Sequence, residues 1–353
     1  MTHTMPDNNP TRSCTPHRLP HARTLTKLTL TLVLGAMLSA FLVACGDGHD
    51  HDNNATIAPI TGRKPVIVAS IFPLANLIEQ VAGDAATVVT FMPPGSNPHS
   101  FEPSASQMTQ ISKADLLVVV GLGFDNWAQK AGQNVGKSKL PIVRWSDLAG
   151  IKAAAHDHAG HNHAAHDHSH DHGHDHSGPN PHLWLDPVLT ADFITKLTPA
   201  LMTLIPEQAD AIKQRSAALL EELVKLHEEF KQQLAAVPNK QLVTFHNAFD
   251  LTAKRYGLEV VAHLAELDIA PGGDVSAKQI TDVVNAARKY KLKVIYTEPQ
   301  FPKQAVETVQ REAGLQLLPL DPEGDPVTGG YKTYQDMMRW NLKNLVQGQS
   351  IAQ

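Results

Sequence analysis

Imidazole is the side chain best suited to bind a borderline divalent cation near neutral pH, and the histidines of this chain fall into two kinds. His99, His182 and His246 are isolated. The first lies in Pro93-Pro94-Gly95-Ser96-Asn97-Pro98-His99 and the second in Pro179-Asn180-Pro181-His182-Leu183-Trp184-Leu185-Asp186-Pro187. The third directly follows the apolar run Gln241 to Phe245. A second set, His156, His158, His161, His163, His166, His168, His170, His172, His174 and His176, alternates mostly with Asp, Ala and Gly in one tract. Isolated imidazoles held by a fold make one defined site, whereas imidazoles strung along a polar chain make many weak, exchanging ones. A single histidine near a strand end is more often a polar loop residue than a ligand, and His263, inside an apolar strand, reads as structural. What lifts the three above that background is a shared placement, each beside the end of an expected element. Asp321 occupies an equivalent place in Leu320-Asp321-Pro322-Glu323-Gly324. Three imidazoles and one carboxylate would make a four-coordinate site, and the prolines beside His99 and His182 lower the entropy cost of assembling it.

The elements that would position these residues follow from the hydrophobic pattern. Val66 to Ala69, Thr87 to Phe91, Leu116 to Val120 and Pro141 to Trp145 are short apolar runs, with helical stretches from Pro73 to Gly83 and from Ser104 to Ala114. The alternation returns later, with strands at Gln241 to Phe245, Leu258 to Leu264, Val294 to Glu298 and Leu315 to Leu320. Helices reach Tyr256, start at Ser276 and Pro302, and close the chain; Ser276-Ala277-Lys278-Gln279 has the spacing of a capping box. Strands alternating with helices imply mostly parallel sheets, whose ligands bind outside the carboxyl ends of the strands. Between the two α/β stretches lie a helix from Pro187 to Leu204 and a longer one from Pro206 to about Ala236. In the latter, Ile212, Leu219, Leu223, Leu226, Phe230 and Leu234 mark one face. It spans roughly 45 Å at 1.5 Å per residue. The expected class is α/β, two parallel-sheet lobes joined by one long rigid helix with the metal site in the cleft between them. The boundaries are 63–205 for the first lobe, 206–236 for the linking helix and 237–353 for the second lobe. A polar, His-rich insertion at 153–178 has almost nothing to bury and reads as disordered without metal.

The segments Asn97-Pro98-His99-Ser100-Phe101-Glu102-Pro103, Pro181-His182-Leu183-Trp184-Leu185-Asp186-Pro187, Phe245-His246-Asn247-Ala248-Phe249, Pro271-Gly272-Gly273, Glu298-Pro299-Gln300-Phe301 and Leu320-Asp321-Pro322-Glu323-Gly324 resemble, in order and spacing, the zinc-uptake substrate-binding proteins of ABC transporters, the ZnuA group. The similarity runs from about Val66 to the C-terminal helix. It implies that His99, His182 and His246 bind the metal, with Asp321, water or a nearby acidic residue completing the shell. It also implies two α/β lobes on a rigid helix, an ABC permease with its ATPase subunit as partners, and a monomer. The chain departs from the Gram-negative branch in lacking cysteines in the C-terminal lobe. Ligand chemistry bears on the metal: imidazole suits Zn²⁺, while Mn²⁺ prefers more carboxylate, so His246 in the third position favours zinc. A manganese or iron importer receptor of the same fold is the alternative. A zinc hydrolase is a more distant one, since Glu298 or Asp321 could act as base but no nucleophile or oxyanion motif is present.

The N-terminal region sets the expected location. Arg12, Arg18, Arg23 and Lys27 precede the uncharged apolar run Leu28 to Ala44, which ends in Leu42-Val43-Ala44-Cys45-Gly46. A basic region, an apolar run and small residues at a cut site read as an export signal, 1–45, and the Leu-Val-Ala-Cys ending resembles a lipobox with Cys45 lipidated. Residues 46–62 read as a flexible tether, and membrane contact would be through the lipid, outside the cytoplasm. With Cys14 in the removed part, no pair remains for a disulfide. A net charge of −5, from 30 basic and 35 acidic residues without basic clusters, argues against nucleic acid as a partner. No second stretch is long and apolar enough to span a bilayer.

Overall fold

The computed structural model describes residues 56–135, 140–152, 178–265, 275–301, 304–325 and 329–351. Cys45, the tract from His156 to His176 and Pro271-Gly272-Gly273 lie outside the described residues.

The first sheet is built from the four expected apolar runs. Strands β1 (Val66–Ala69), β2 (Thr87–Thr90), β3 (Leu116–Val119) and β4 (Ile142–Arg144) are parallel in the order β2-β1-β3-β4. Short crossovers carry α1 (Phe72–Ala82), α2 (Ala105–Ser112) and α3 (Asn126–Asn134), which cover its faces. Trp145, read from sequence as the end of a strand, instead opens the single-turn helix α4 (Trp145–Ala149). Its indole stacks on Phe193 at 4.1 Å.

Two helices follow the first sheet. α5 (Pro187–Leu204) begins with Pro187 at its first position, where no N–H is needed, and Asp186 Oδ1 accepts the backbone N–H groups of Val188 and Leu189. After a turn at Pro206–Gln208 comes α6 (Ala209–Ala236). Its buried face is the expected stripe, Ile212 to Leu234, with one addition. Ser216 is buried in the same stripe, its hydroxyl 2.7 Å from that of Thr198 on α5. The pattern hides Ser216 because serine counts as polar until its partner is known. No described helix is by itself long and apolar enough to cross a membrane.

After α6 the strands β5 (Gln241–Thr244) and β6 (Glu259–His263) pair in parallel, as do β7 (Val294–Thr297) and β8 (Gln316–Pro319), with β5 against β7. Helices α7 (Asp250–Arg255), α8 (Ala277–Lys289), α9 (Gln304–Ala313) and α10 (Tyr334–Gln349) complete this part. The capping box at Ser276 forms: its hydroxyl accepts from Gln279 N at 3.2 Å, and Gln279 Oε1 accepts from Ser276 N at 2.8 Å.

The main core runs from Ile67 and Val118 through the buried face of α6 to Leu242, Tyr296, Met337 and Leu345. The long helix is therefore embedded along its length. The end of the expected tether is docked too: Ile57 and Ile60 pack on this core and Ile60 N donates to Leu204 O at 2.9 Å. Phe230, fully buried on α6, packs against Tyr256 at 5.2 Å. Phe230→Ala should cost about 3–5 kcal/mol, measured as the change in unfolding free energy by urea titration.

Candidate metal centre

A local device holds each isolated histidine. Asn97 Oδ1 accepts the backbone N–H of His99 at 2.9 Å, and Asn180 Oδ1 accepts that of His182 at 2.9 Å. Both are turns closed by an asparagine side chain onto the residue two positions on, with proline fixing φ in between. Trp127 Nε1 donates to Pro98 O at 3.0 Å and ties the first turn to α3. Asn180 also reaches outward: its Nδ2 donates to Asn247 O at 2.7 Å, and its Oδ1 lies 2.9 Å from His182 Nδ1. His246 stands just past β5, where Thr244 Oγ1 donates to its carbonyl at 2.8 Å. Glu298, just past β7, accepts the His246 backbone N–H at 3.3 Å on Oε1, which lies 2.7 Å from the ring Nδ1.

These partners fix the ring chemistry. The Asn180 amide is oriented by its bond to the Asn247 carbonyl, so its oxygen faces His182 Nδ1 and requires an N–H there. A carboxylate requires the same of His246 Nδ1. In the neutral rings both Nε2 atoms then carry lone pairs, and the two atoms lie 3.2 Å apart. Two tetrahedral ligands at 2.0–2.1 Å from one zinc ion stand about 3.3 Å apart. The spacing thus fits two ligands of a shared cation. His99 completes the group: one ligand nitrogen from each of the three rings lies within 4.8 Å of the others. Among the described residues this is the one cluster of metal-ligating side chains.

The walls are apolar. Phe124 sits edge-on to His182 and His99 at 5.5 and 5.9 Å, Phe301 lies 5.3 Å from His246, and Trp184 lies 5.3 Å from His182. Burial first, then the neighbouring His246 and His99, hold His182 well below the usual imidazole range, so it stays neutral and ready to coordinate.

Asp321 lies outside this group. Its Oδ1 accepts from Gln300 Nε2 at 2.8 Å and Gly324 N at 2.9 Å, and its Oδ2 from Asp325 N at 3.0 Å. The carboxylate therefore closes its own turn. Gly324, at φ 76°, lies so close to Phe72 and Met337 that a Cβ would collide with both. Burial, and secondarily the charges of Glu298 and Asp321, raise Glu323 well above the usual carboxylate range.

The His182 segment precedes α6 in sequence but is held by residues that follow it. Besides the Asn247 contact, Thr252 Oγ1 donates to Leu185 O at 2.6 Å and Arg255 Nε to Asp186 Oδ2 at 2.6 Å. Trp184 Nε1 donates to Pro322 O at 2.5 Å, and Tyr334 OH to Trp184 O at 2.6 Å. Sequence reasoning did not single out Asn97 and Asn180, although Asn-Pro-His stands at both 97–99 and 180–182 and the repeat is visible there. Phe124 carried no such signal.

The fold is parallel α/β and carries three imidazoles that could hold one metal ion, and comparison with known proteins gives the chain a family. The family described as zinc-uptake complex component A, periplasmic (ZnuA), matches residues 67–348, and the chain belongs to it. It is 27% identical over 322 residues to the zinc-binding lipoprotein AdcA of Streptococcus pneumoniae, covering 90% of this chain but only 60% of that relative's length. It is 26% identical to the manganese-binding lipoprotein MntA of Halalkalibacterium halodurans, covering 88% of this chain and 95% of that one. Among solved structures, the laminin-binding protein Lmb of Streptococcus agalactiae aligns with a TM-score of 0.66 at 26% identity, covering 81% of this chain and 99% of that one. The periplasmic zinc-binding protein TroA of Treponema pallidum shares the fold, with a TM-score of 0.68 at 22% identity and coverage of 82% and 100%.

The depressed pKa of His182 has a consequence for stability. The unfolded chain takes up this proton near 6.5 while the fold does not, so the residue costs nothing above that pH and subtracts stability below it. Glu323 and Asp321, raised by burial, act with the opposite sign. The histidine contribution is therefore read as a difference. Relative to His182→Gln, the metal-free parent should lose urea resistance as pH falls from about 7 to about 5. Parallel pH profiles for the two proteins would remove it.

Proposed function

We propose that this protein is an extracytoplasmic receptor that captures Zn²⁺ and delivers it to an ABC permease served by its ATPase subunit. The observation that carries the reading is the 3.2 Å approach of the His182 and His246 Nε2 atoms, with a third imidazole beside them. His99, His182 and His246 hold the metal. The fourth position is taken by Asp321, once it exchanges the hydrogen bond from Gln300 for the metal, or by water. The names of the zinc-binding relatives support the cargo, and the lipoprotein relatives support an anchor at Cys45. The lobes at 63–205 and 237–353, joined through 206–236, are read as the two halves of the receptor, which acts as a monomer. The tract from His156 to His176 is an accessory that gathers zinc in weak, exchanging sites.

Manganese is the second reading, because the relative MntA aligns over nearly its whole length. Ligand chemistry favours zinc: three imidazoles suit Zn²⁺, whereas Mn²⁺ prefers a larger carboxylate share than the one that Asp321 would add. A hydrolytic role finds little support, since Glu298 lies on the Nδ1 side of His246, away from the metal-facing nitrogen.

Calorimetry on a chain lacking residues 153–178 tests the cargo, with tight one-site binding of Zn²⁺ expected and a tighter, saturating Mn²⁺ isotherm fatal to the zinc reading. In the same assay His246→Ala should weaken zinc binding at least tenfold, about 1.4 kcal/mol.

A further inference from the structure

We infer that Glu298 is a positioning residue for metal capture, acting through His246 rather than on the metal itself. The inference rests on the three-histidine reading above and goes further by asking what aims the third imidazole. One oxygen of Glu298, Oε1, accepts the backbone N–H of His246 at 3.3 Å and faces its ring Nδ1 at 2.7 Å. A single acceptor thus sets both where the residue starts and how its ring is rotated. The grip is dry, with both side chains 2% exposed. It also fixes the tautomer: with the proton on Nδ1, the lone pair on Nε2 points at His182.

A buried carboxylate could instead be a structural tie between β5 and β7, and two observations favour the positioning role. First, the backbone of His246 is already held from its other side, where Thr244 Oγ1 donates to its carbonyl. Losing Glu298 would leave that anchor and release the ring. Second, Glu298 Oε2 is buried and has no hydrogen-bond partner among the described residues. Burying half of a carboxylate unsatisfied is costly, and a purely structural tie gains nothing from it. A dication arriving on the far side of the imidazole offsets that cost, because the negative charge is then opposed across one ring. A carboxylate behind a metal-binding histidine also raises the basicity of the ligand nitrogen.

The test uses the full chain, with zinc buffered by a competing chelator so that free metal stays below the range filled by weak sites. Glu298→Ala should weaken zinc binding by about ten- to a hundredfold. Glu298→Gln, whose amide oxygen can still accept from Nδ1, should recover most of that loss. Nitrogen NMR of the metal-free protein gives a reading that a structural tie would not move: the His246 signal, identified by its disappearance in His246→Gln, should leave the Nδ1–H tautomer in Glu298→Ala and keep it in Glu298→Gln. Should the alanine variant fail to fold, Glu298→Met preserves the volume and answers the same question. Parental zinc affinity in Glu298→Ala, or an unchanged tautomer, overturns the inference. His246→Ala measured alongside separates the two claims. If it loses zinc while Glu298→Ala does not, only the positioning role falls; if it binds like the parent, the three-histidine reading itself fails.

Discussion

Two imidazole nitrogens 3.2 Å apart among apolar rings repel one another whenever both present lone pairs, and a protein that keeps them there must hold each ring from behind. His182 is held by an amide oxygen and His246 by a carboxylate oxygen, each acting on Nδ1. The two rings cannot turn away without breaking those bonds, and burial keeps His182 neutral. The remaining way to relieve the repulsion is a cation between them. Preorganisation of this kind shifts the cost of assembling a site from the moment of binding to the moment of folding. Much of the surrounding architecture is the means by which that cost is met.

The sheets contribute position more than contact. β5 and β7 end side by side, which brings His246 and Glu298 together from distant parts of the chain. The His182 turn is supported across the cleft by α7, by the Pro322 turn and by the start of α10. α6 connects the first sheet to the later strands as a packed core element, buried along one face from Ile212 to Leu234.

What could be read from sequence, and what could not, follows from the range of the interactions. Most strand and helix positions were legible because apolar periodicity is local, with ends moved by a few residues, but the helices α3 and α4 were not read. The three histidines were legible because each stands beside an expected element, and the structure brings one nitrogen of each together. The abundant histidines of the tract were the louder signal and the less informative one. Ser216 escaped because its polarity is cancelled by Thr198 on another helix. Glu298 appeared as part of a motif, but its relation to His246 depends on two strands lying side by side, which no local pattern encodes. Asp321 was legible as a candidate ligand, but that its carboxylate accepts from its own turn and from Gln300 was not.

The dependence of the His182 turn on later residues bears on how the chain matures. A polypeptide synthesised amino-terminus first exposes His99 and His182 well before Asn247, Thr252, Arg255, Pro322 and Tyr334 exist to brace them. Until the segment around Tyr334 docks, those imidazoles are loose donors with no enforced geometry, able to pick up metal only weakly and to release it again. A tight grip becomes a property of the finished molecule, so a nascent chain would be slow to sequester metal in the compartment where it is made.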